Sequence, residues 1–289
     1  MSVSTRYQKI LVAANSQLAE ADDRASEITR FLESQGITAI YGFLSDEKIC
    51  DLIRQNEVDI LVALGGDGTM LRAGNLCAPY NLPILGINLG RFGFLTEIRM
   101  DQWREIFPRL LSRDFWIEHR MMLSAEQWRE GKKIGTWEVL NEIVVSRGHI
   151  VRPIHLITHV DERYLTTYVA DALIAATATG STAYAMAAGG PILPPELRNI
   201  LLVAVAPHLS IDRAIVLAEG SSVRITVRTS HQAVMSPDGH GPVEMMDGDL
   251  INACASEHSV QFIRFQDPGY FYRNLTPHMS QNPSTGNSR

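Results

Sequence analysis

A chain of 289 residues with 45% apolar and 20% charged positions supports a sizeable core and exceeds the usual span of one domain, so two domains are expected. The net charge of −6 at pH 7 argues against a generic nucleic-acid surface, and no apolar run is long enough to cross a bilayer as a helix. Cys50, Cys77 and Cys254 lie far apart, which suits a reducing compartment and supplies no zinc framework. The polar segment Met1–Lys9 lacks an apolar signal core, so a soluble, cytoplasmic protein is expected.

Lys9–Ala14 is predicted as a strand buried on both faces. Leu18, Ala21, Ala25, Ile28 and Leu32 recur at helical spacing, and Gly36 stands where a helix end calls for left-handed backbone. A strand over Ile37–Phe43 and a short helix over Glu47–Gln55 follow. Asp59–Leu64 reads as a third strand and runs into Gly65-Gly66-Asp67-Gly68-Thr69. There two glycines free the backbone, and Thr69 is the expected N-cap of a helix through Leu71, Ala73 and Leu76. A strand, a glycine turn and a helix start make an anion site. A carboxylate at its tip would be repelled unless a metal, or a proton to be accepted, explained it. The alternative is a tight turn in which Asp67 satisfies nearby N–H groups.

Pro83–Leu89 is predicted as a fourth strand and Asp101–Leu111 as a helix with Trp103, Ile106, Phe107 and Leu110 on one side. Alternating strands and helices imply a doubly wound α/β domain, whose sites lie at the carboxyl ends of strands. Asp67 and the segment Asn88–Gly93 are expected to wall one crevice there. After Phe115 the rhythm changes to strands: Trp116–Trp128, Gly135–Arg147, Ile154–Asp161, Tyr164–Val169, Asp171–Thr177, Ile200–Ala206, Ser222–Arg228 and Ser259–Phe265. The expected division is therefore an α/β domain over 1–115, a β-rich, sandwich-like domain over 116–278, and a disordered polar tail over 279–289. The C-terminal part of the second domain is expected to pack back on the first.

Within the β-rich part, Asn141-Glu142 interrupts an apolar strand. Neighbours on a strand face opposite sides, so both are useful only at a strand end or bulge, where they match ribose hydroxyls. Asp171-Ala-Leu-Ile-Ala-Ala-Thr-Ala-Thr-Gly-Ser-Thr-Ala-Tyr184 leads an apolar strand through a hydroxyl-rich turn into a small-residue helix over Ala183–Ala188. The turn offers donors to an anion or sugar, and Tyr184, one turn into the helix, can stack on a base. His155 and His159 share a strand face without a third ligand, so no metal site is expected from them.

Taken in order, Gly-Gly-Asp-Gly-Thr at 65–69, Asn-Leu-Gly-Arg-Phe-Gly-Phe-Leu-Thr at 88–96, Asn-Glu at 141–142, Thr-Gly-Ser-Thr-Ala-Tyr at 179–184, Gly-Gly-Pro-Ile at 189–192 and Ala-Pro-His at 206–208 resemble the NAD kinase family. The first element alone is shared with diacylglycerol, sphingosine and 6-phosphofructo kinases. The resemblance implies an α/β N-terminal domain, a β-sandwich-like C-terminal domain, and a homotetramer or homodimer. It also implies transfer of the ATP γ-phosphoryl group to the adenosine ribose 2′-OH of NAD, with a divalent cation, Mg²⁺, to which no protein ligand is assigned.

Carried over by position, Asp67 is the proton acceptor, and Gly68 and Phe94 contact the dinucleotide. Asn141 and Glu142 hold the ribose and diphosphate, and Arg152 falls at a ligand-contacting position. Asp171 faces the nicotinamide end. Thr182, Ala183, Tyr184, Ala185, Met186 and Ala187 line the adenosine pocket with Tyr184 on adenine, and Ala206 and His240 complete the set. Ala172, Ala178, Ala187 and His240 depart from the family pattern. Two other readings stay open: a kinase for a lipid or sugar hydroxyl, and a non-catalytic NAD(P) sensor. The first predicts a pocket without Asn-Glu and Thr-Ala-Tyr, the second a motif without Asp67.

Overall fold

The computed structural model describes residues 7–14, 21–90, 93–208 and 211–280. The expectations for Leu18, for Arg91 and Phe92, for most of Met1–Lys9 and for the tail beyond 280 lie outside these residues. Two compact units emerge. One comprises the chain up to His119 together with the residues from Val260 onward; the other is Arg120–Ser259.

The first unit contains β1 (Lys9–Ala14), α1 (Ala21–Ser34), β2 (Thr38–Phe43), α2 (Glu47–Arg54), β3 (Ile60–Leu64), α3 (Asp67–Cys77), β4 (Ile84–Asn88), a two-residue β5 (Ile98–Arg99) and α4 (Trp103–Ser112). The order β2-β1-β3-β4 is parallel throughout. Parallel strands need crossover helices, which bury both sheet faces, and every residue of β3 and β4 is buried accordingly. Ile28 and Leu32 of α1 and Trp103, Phe107 and Leu110 of α4 pack on Ile10, Val12, Val62, Leu85 and Ile87. On the other face the strands carry glycines where helices press closest. A Cβ on Gly42 would stand 2.5 Å from Ile49 of α2, and one on Gly86 would stand 2.6 Å from Met70 of α3. Gly36, at φ +76°, ends α1 as its position predicts.

The second unit is β-rich. It holds most of β6 (Trp116–Arg129), then β7 (Lys132–Val139), β8 (Glu142–Arg147), β9 (Ile154–Val160), β10 (Arg163–Ala170), β11 (Ala172–Ala176), the short helix α5 (Tyr184–Ala187), β12 (Ile200–Val205), β13 (Ile215–Leu217), β14 (Ser222–Arg228), β15 (Ala233–Pro237), β16 (Val243–Met245) and most of β17 (Leu250–Arg264). The antiparallel run β10-β9-β14-β17, extended by β6 and β7, faces a second antiparallel sheet ordered β13-β12-β11-β8-β15-β16. Alternate residues of both, among them Leu123, Ile143, Leu156, Leu173, Leu202, Ile225 and Met235, form one core. Beyond β17, α6 (Tyr270–Ser280) belongs to the first unit.

Several expectations require correction. Gly135–Arg147 is two strands, not one, broken at Leu140-Asn141. The interruption at Asn-Glu is thus a strand end, with Glu142 opening β8. Ser259–Phe265 is only the far end of β17, whose earlier half alternates polar and apolar residues. In place of a helix over Ala183–Ala188 there is a 3-10 turn over Gly180–Thr182 followed by the four residues of α5. Tyr184 therefore begins the helix instead of lying one turn into it.

Candidate functional site

The glycine turn after β3 is built by close approach. A Cβ on Gly65 would lie 2.2 Å from Thr69 Oγ1, so only glycine lets the strand end sit against the helix. Gly66 is extended at φ −102° and ψ −168° and is itself the N-cap, and α3 opens at Asp67. Thr69, the expected cap, lies inside the helix with 2% of its surface exposed. The glycines turn the chain sooner than the hydroxyl pattern suggests, which leaves Asp67 in the first helical turn, where the helix dipole favours an anion.

Asp67 is held from outside its own turn. Its Oδ2 accepts the N–H of Phe94 at 2.9 Å, and its Oδ1 accepts the N–H of Leu95 at 3.0 Å. The approach is so close that a Cβ on Gly93 would stand 2.0 Å from Oδ1. The two N–H groups stabilise the ionised carboxylate further and fix both its oxygens. Gly68 beside it is exposed. Asn88 is 3% exposed; its Oδ1 accepts the Gly90 N–H at 2.6 Å, so it shapes the loop. Asn88, Leu89 and Gly90 also line a cavity of about 370 Å³ with Arg24, Arg99 and Arg104.

In the second unit the Asn141-Glu142 break is locked on two sides. Asp238 accepts the N–H groups of Leu140 at 2.8 Å, Asn141 at 2.8 Å and Glu142 at 3.1 Å. Opposite, Thr177 donates its N–H to the Asn141 carbonyl at 2.8 Å and its hydroxyl to the Leu140 carbonyl at 2.6 Å. Gly180 packs so tightly that a Cβ would sit 2.2 Å from the Asn141 oxygen. Asp238 escaped the sequence reading. Its signal was Asp238-Gly239 directly after β15, a turn pair whose residues take φ of +46° and +70°.

Glu142 is 6% exposed. Burial, with Asp238 adding to it, raises its pKa to about 8, against the opposing N–H of Tyr184. Among the described residues its Oε2 has no hydrogen-bond partner.

The hydroxyl-rich turn departs from expectation. Thr177, Thr179 and Ser181 are buried and spend their hydroxyls on the protein. Thr179 accepts from Arg120 at 3.1 Å, while Ser181 donates to the Ala178 carbonyl at 2.6 Å and accepts the Leu193 N–H at 2.9 Å. They build the turn. Thr182 is half-buried, donating to the Thr179 carbonyl at 3.2 Å. Ala183 and Met186 are half-buried, Ala185 is buried and Ala187 exposed, and the Tyr184 ring is accessible at 44%.

Asp171 pairs with Arg147 at 2.9 Å. Ala206 is exposed with φ +47°, and His240 is exposed, its Nδ1 3.1 Å from the Pro237 carbonyl. Arg152 shares a groove of about 400 Å³ with His155, Arg228, His231 and Asp247, none of them a residue that the resemblance places at the site. Among the described residues, no group of three or more His, Cys, Asp or Glu side chains could hold a metal ion.

A carboxylate on a glycine turn at the carboxyl edge of a parallel sheet, in a chain that also carries a β-rich unit with a locked Asn-Glu pair, defines the class of Gly-Gly-Asp-Gly kinases. Comparison narrows the class. Residues 10–115 match the ATP-NAD kinase N-terminal domain and residues 140–265 the ATP-NAD kinase C-terminal domain. NAD kinase of Chloroflexus aggregans is 37% identical over 259 residues, covering 89% of this chain and 94% of the relative. NAD kinase of Moorella thermoacetica is 37% identical over 274 residues, covering 91% and 87%. In fold, yeast NADH kinase complexed with NADH aligns with a TM-score of 0.84 at 23% identity, over 96% of this chain and 89% of that one. An NAD kinase from Archaeoglobus fulgidus in complex with ATP aligns at 0.76 and 24%, over 95% and 100%. The chain belongs to the NAD kinase family.

Proposed function

We propose that Asp67 and the Asn141-Glu142 pair carry the family's reaction in this chain. The enzyme transfers the γ-phosphoryl group of ATP to the adenosine ribose 2′-OH of NAD, giving NADP and ADP. A bond forms between the 2′-oxygen and the γ-phosphorus, the bond from that phosphorus to the β,γ-bridging oxygen breaks, and the hydroxyl proton passes to Asp67. One observation supports this most: both oxygens of Asp67 are aimed by backbone N–H groups, yet the residue keeps solvent access.

An ionised aspartate is a weak base for a sugar hydroxyl. Phosphoryl transfer passes through a loose transition state, however, so orienting the hydroxyl matters more than removing its proton early. Asn141 and Glu142 hold the ribose and diphosphate, and the accessible ring of Tyr184 stacks on adenine. Gly68, Phe94, Arg152, Asp171, Thr182, Ala183, Ala185, Met186, Ala187, Ala206 and His240 complete the dinucleotide contacts. A divalent cation, when bound with ATP, neutralises phosphate charge. The protein works in the cytoplasm as a homotetramer or homodimer; no helix among the described residues is long and apolar enough to cross a membrane.

The test is NADP formation from NAD, ATP and Mg²⁺, with NADH and polyphosphate in parallel. Wild type should produce NADP. Asp67→Asn should still bind NAD and lose turnover by roughly 10²–10⁴-fold, the usual worth of a positioned acid or base. Unchanged turnover would remove Asp67 from its role. A folded protein that binds NAD and makes no NADP would be a sensor.

A further inference from the structure

The loop that orients Asp67 is itself gripped from behind. Leu95 donates its N–H to Asp67, and its carbonyl accepts from Arg264 Nη1 at 3.3 Å. Holding the groups on both sides of one residue fixes its backbone, and with it the direction of the N–H. Arg264 is fully buried. Its Nε donates to Glu118 at 2.9 Å and its Nη1 to Glu97 at 3.2 Å. Glu97, two residues past Leu95, also accepts the N–H groups of Phe265 at 2.8 Å and Gln266 at 3.2 Å. Glu118 in turn accepts the Tyr270 hydroxyl at 2.9 Å, and the Phe271 ring of α6 lies 6.4 Å from that of Phe94. A planar guanidinium spreads five donors over a rigid fork that reaches two carboxylates and a carbonyl in fixed directions, whereas an ammonium's three donors all radiate from one nitrogen.

We infer that Arg264 is a positioning residue for Asp67, acting through the Leu95 peptide and backed by Glu97, Glu118 and Tyr270. The inference rests on Asp67 being the proton acceptor. Stability alone does not account for the arrangement, because a buried ion cluster is a poor source of it compared with apolar packing, and the contact to the Leu95 carbonyl ties this cluster to the reacting carboxylate's own donor.

A double-mutant cycle tests it, using the full chain with kcat normalised to the stoichiometry of NAD binding. Arg264→Lys should lower kcat by roughly tenfold or more and leave KM for NAD within about twofold, as expected for an interaction realised in the transition state. In an Asp67→Asn background, where no base remains to be aimed, the same substitution should change kcat by less than about twofold. Equal falls in both backgrounds would mark a merely structural role and overturn the inference while leaving Asp67 in place. Wild-type turnover in Asp67→Asn alone would overturn both. Should Arg264→Lys not fold, Tyr270→Phe, which removes only a hydroxyl from Glu118, enters the same cycle, with a smaller fall in kcat in the wild-type background and none in the other.

Discussion

Glu142 holds its proton where most glutamates have lost theirs. Burial and the neighbouring Asp238 raise its pKa from 4.5 to about 8. Between those values the folded chain binds a proton that the unfolded chain has released. Stability from this group is therefore fully present below about 4.5 and is lost as pH rises towards 8. Glu142→Gln, which cannot ionise, should flatten this slope. The melting temperature of wild type should fall more between pH 5 and pH 8 than that of the variant, read by differential scanning fluorimetry across buffers. The same residue shows why site chemistry was only partly legible. Asn-Glu inside an apolar run announced a strand end, because two adjacent polar side chains cannot share a face. Its environment was invisible, because Asp238 lies far away in the sequence and reaches it only through the fold. The hydroxyls of Thr177, Thr179 and Ser181 misled for a related reason: a count of donors does not say which are consumed by the turn itself.

Among the elements, the short hairpin of β15 and β16 has an importance out of proportion to its length. It delivers Asp238 beneath the break between β7 and β8, where one carboxylate receives three backbone N–H groups. Replacing it leaves those donors buried without an acceptor, at roughly 1–3 kcal/mol for each unmet group. Asp238→Ala should thus destabilise the protein by several kcal/mol in urea unfolding and weaken NAD binding, because Asn141 and Glu142 lose their setting. The parallel strands were easy to read, since β1, β3 and β4 are short apolar runs bounded by glycine, proline or charge. The edge and end pieces were not. β16 has three residues, β15 closes on Pro237, and β17 interrupts its apolar residues with half-buried Asn252 and His258, exposed Glu257 and buried Ser256. The helix α6 begins Tyr-Phe-Tyr and contains Pro277, residues that locally favour strand or turn; tertiary packing overrides them.

At the scale of the whole molecule, the first unit is discontinuous in sequence, interrupted by Arg120–Ser259. Composition and rhythm place the change of architecture near 115, yet nothing local says that the residues from Val260 return to the first unit. Such a return depends on pairings such as Phe262 with Ile84 and on Arg264. A fragment ending at residue 119 would bury Glu97 and Glu118 with no guanidinium between them, an arrangement that costs several kcal/mol. It should fail to give a cooperative thermal transition by circular dichroism, whereas the same fragment rejoined through a flexible linker to residues 260–289 should regain one.

That interruption also sets an order in time. A ribosome delivers Arg120–Ser259 as one continuous stretch, so this unit can close as soon as its last strand emerges. The unit bearing Asp67 begins earlier and finishes later: its acidic partners Glu97 and Glu118 wait until Arg264 and Tyr270, made after the whole of the β-rich unit, leave the exit tunnel. Until then the Leu95 carbonyl has no guanidinium to meet. The nascent chain can complete its β-rich unit first and acquires a fully supported Asp67 only after that unit has been made.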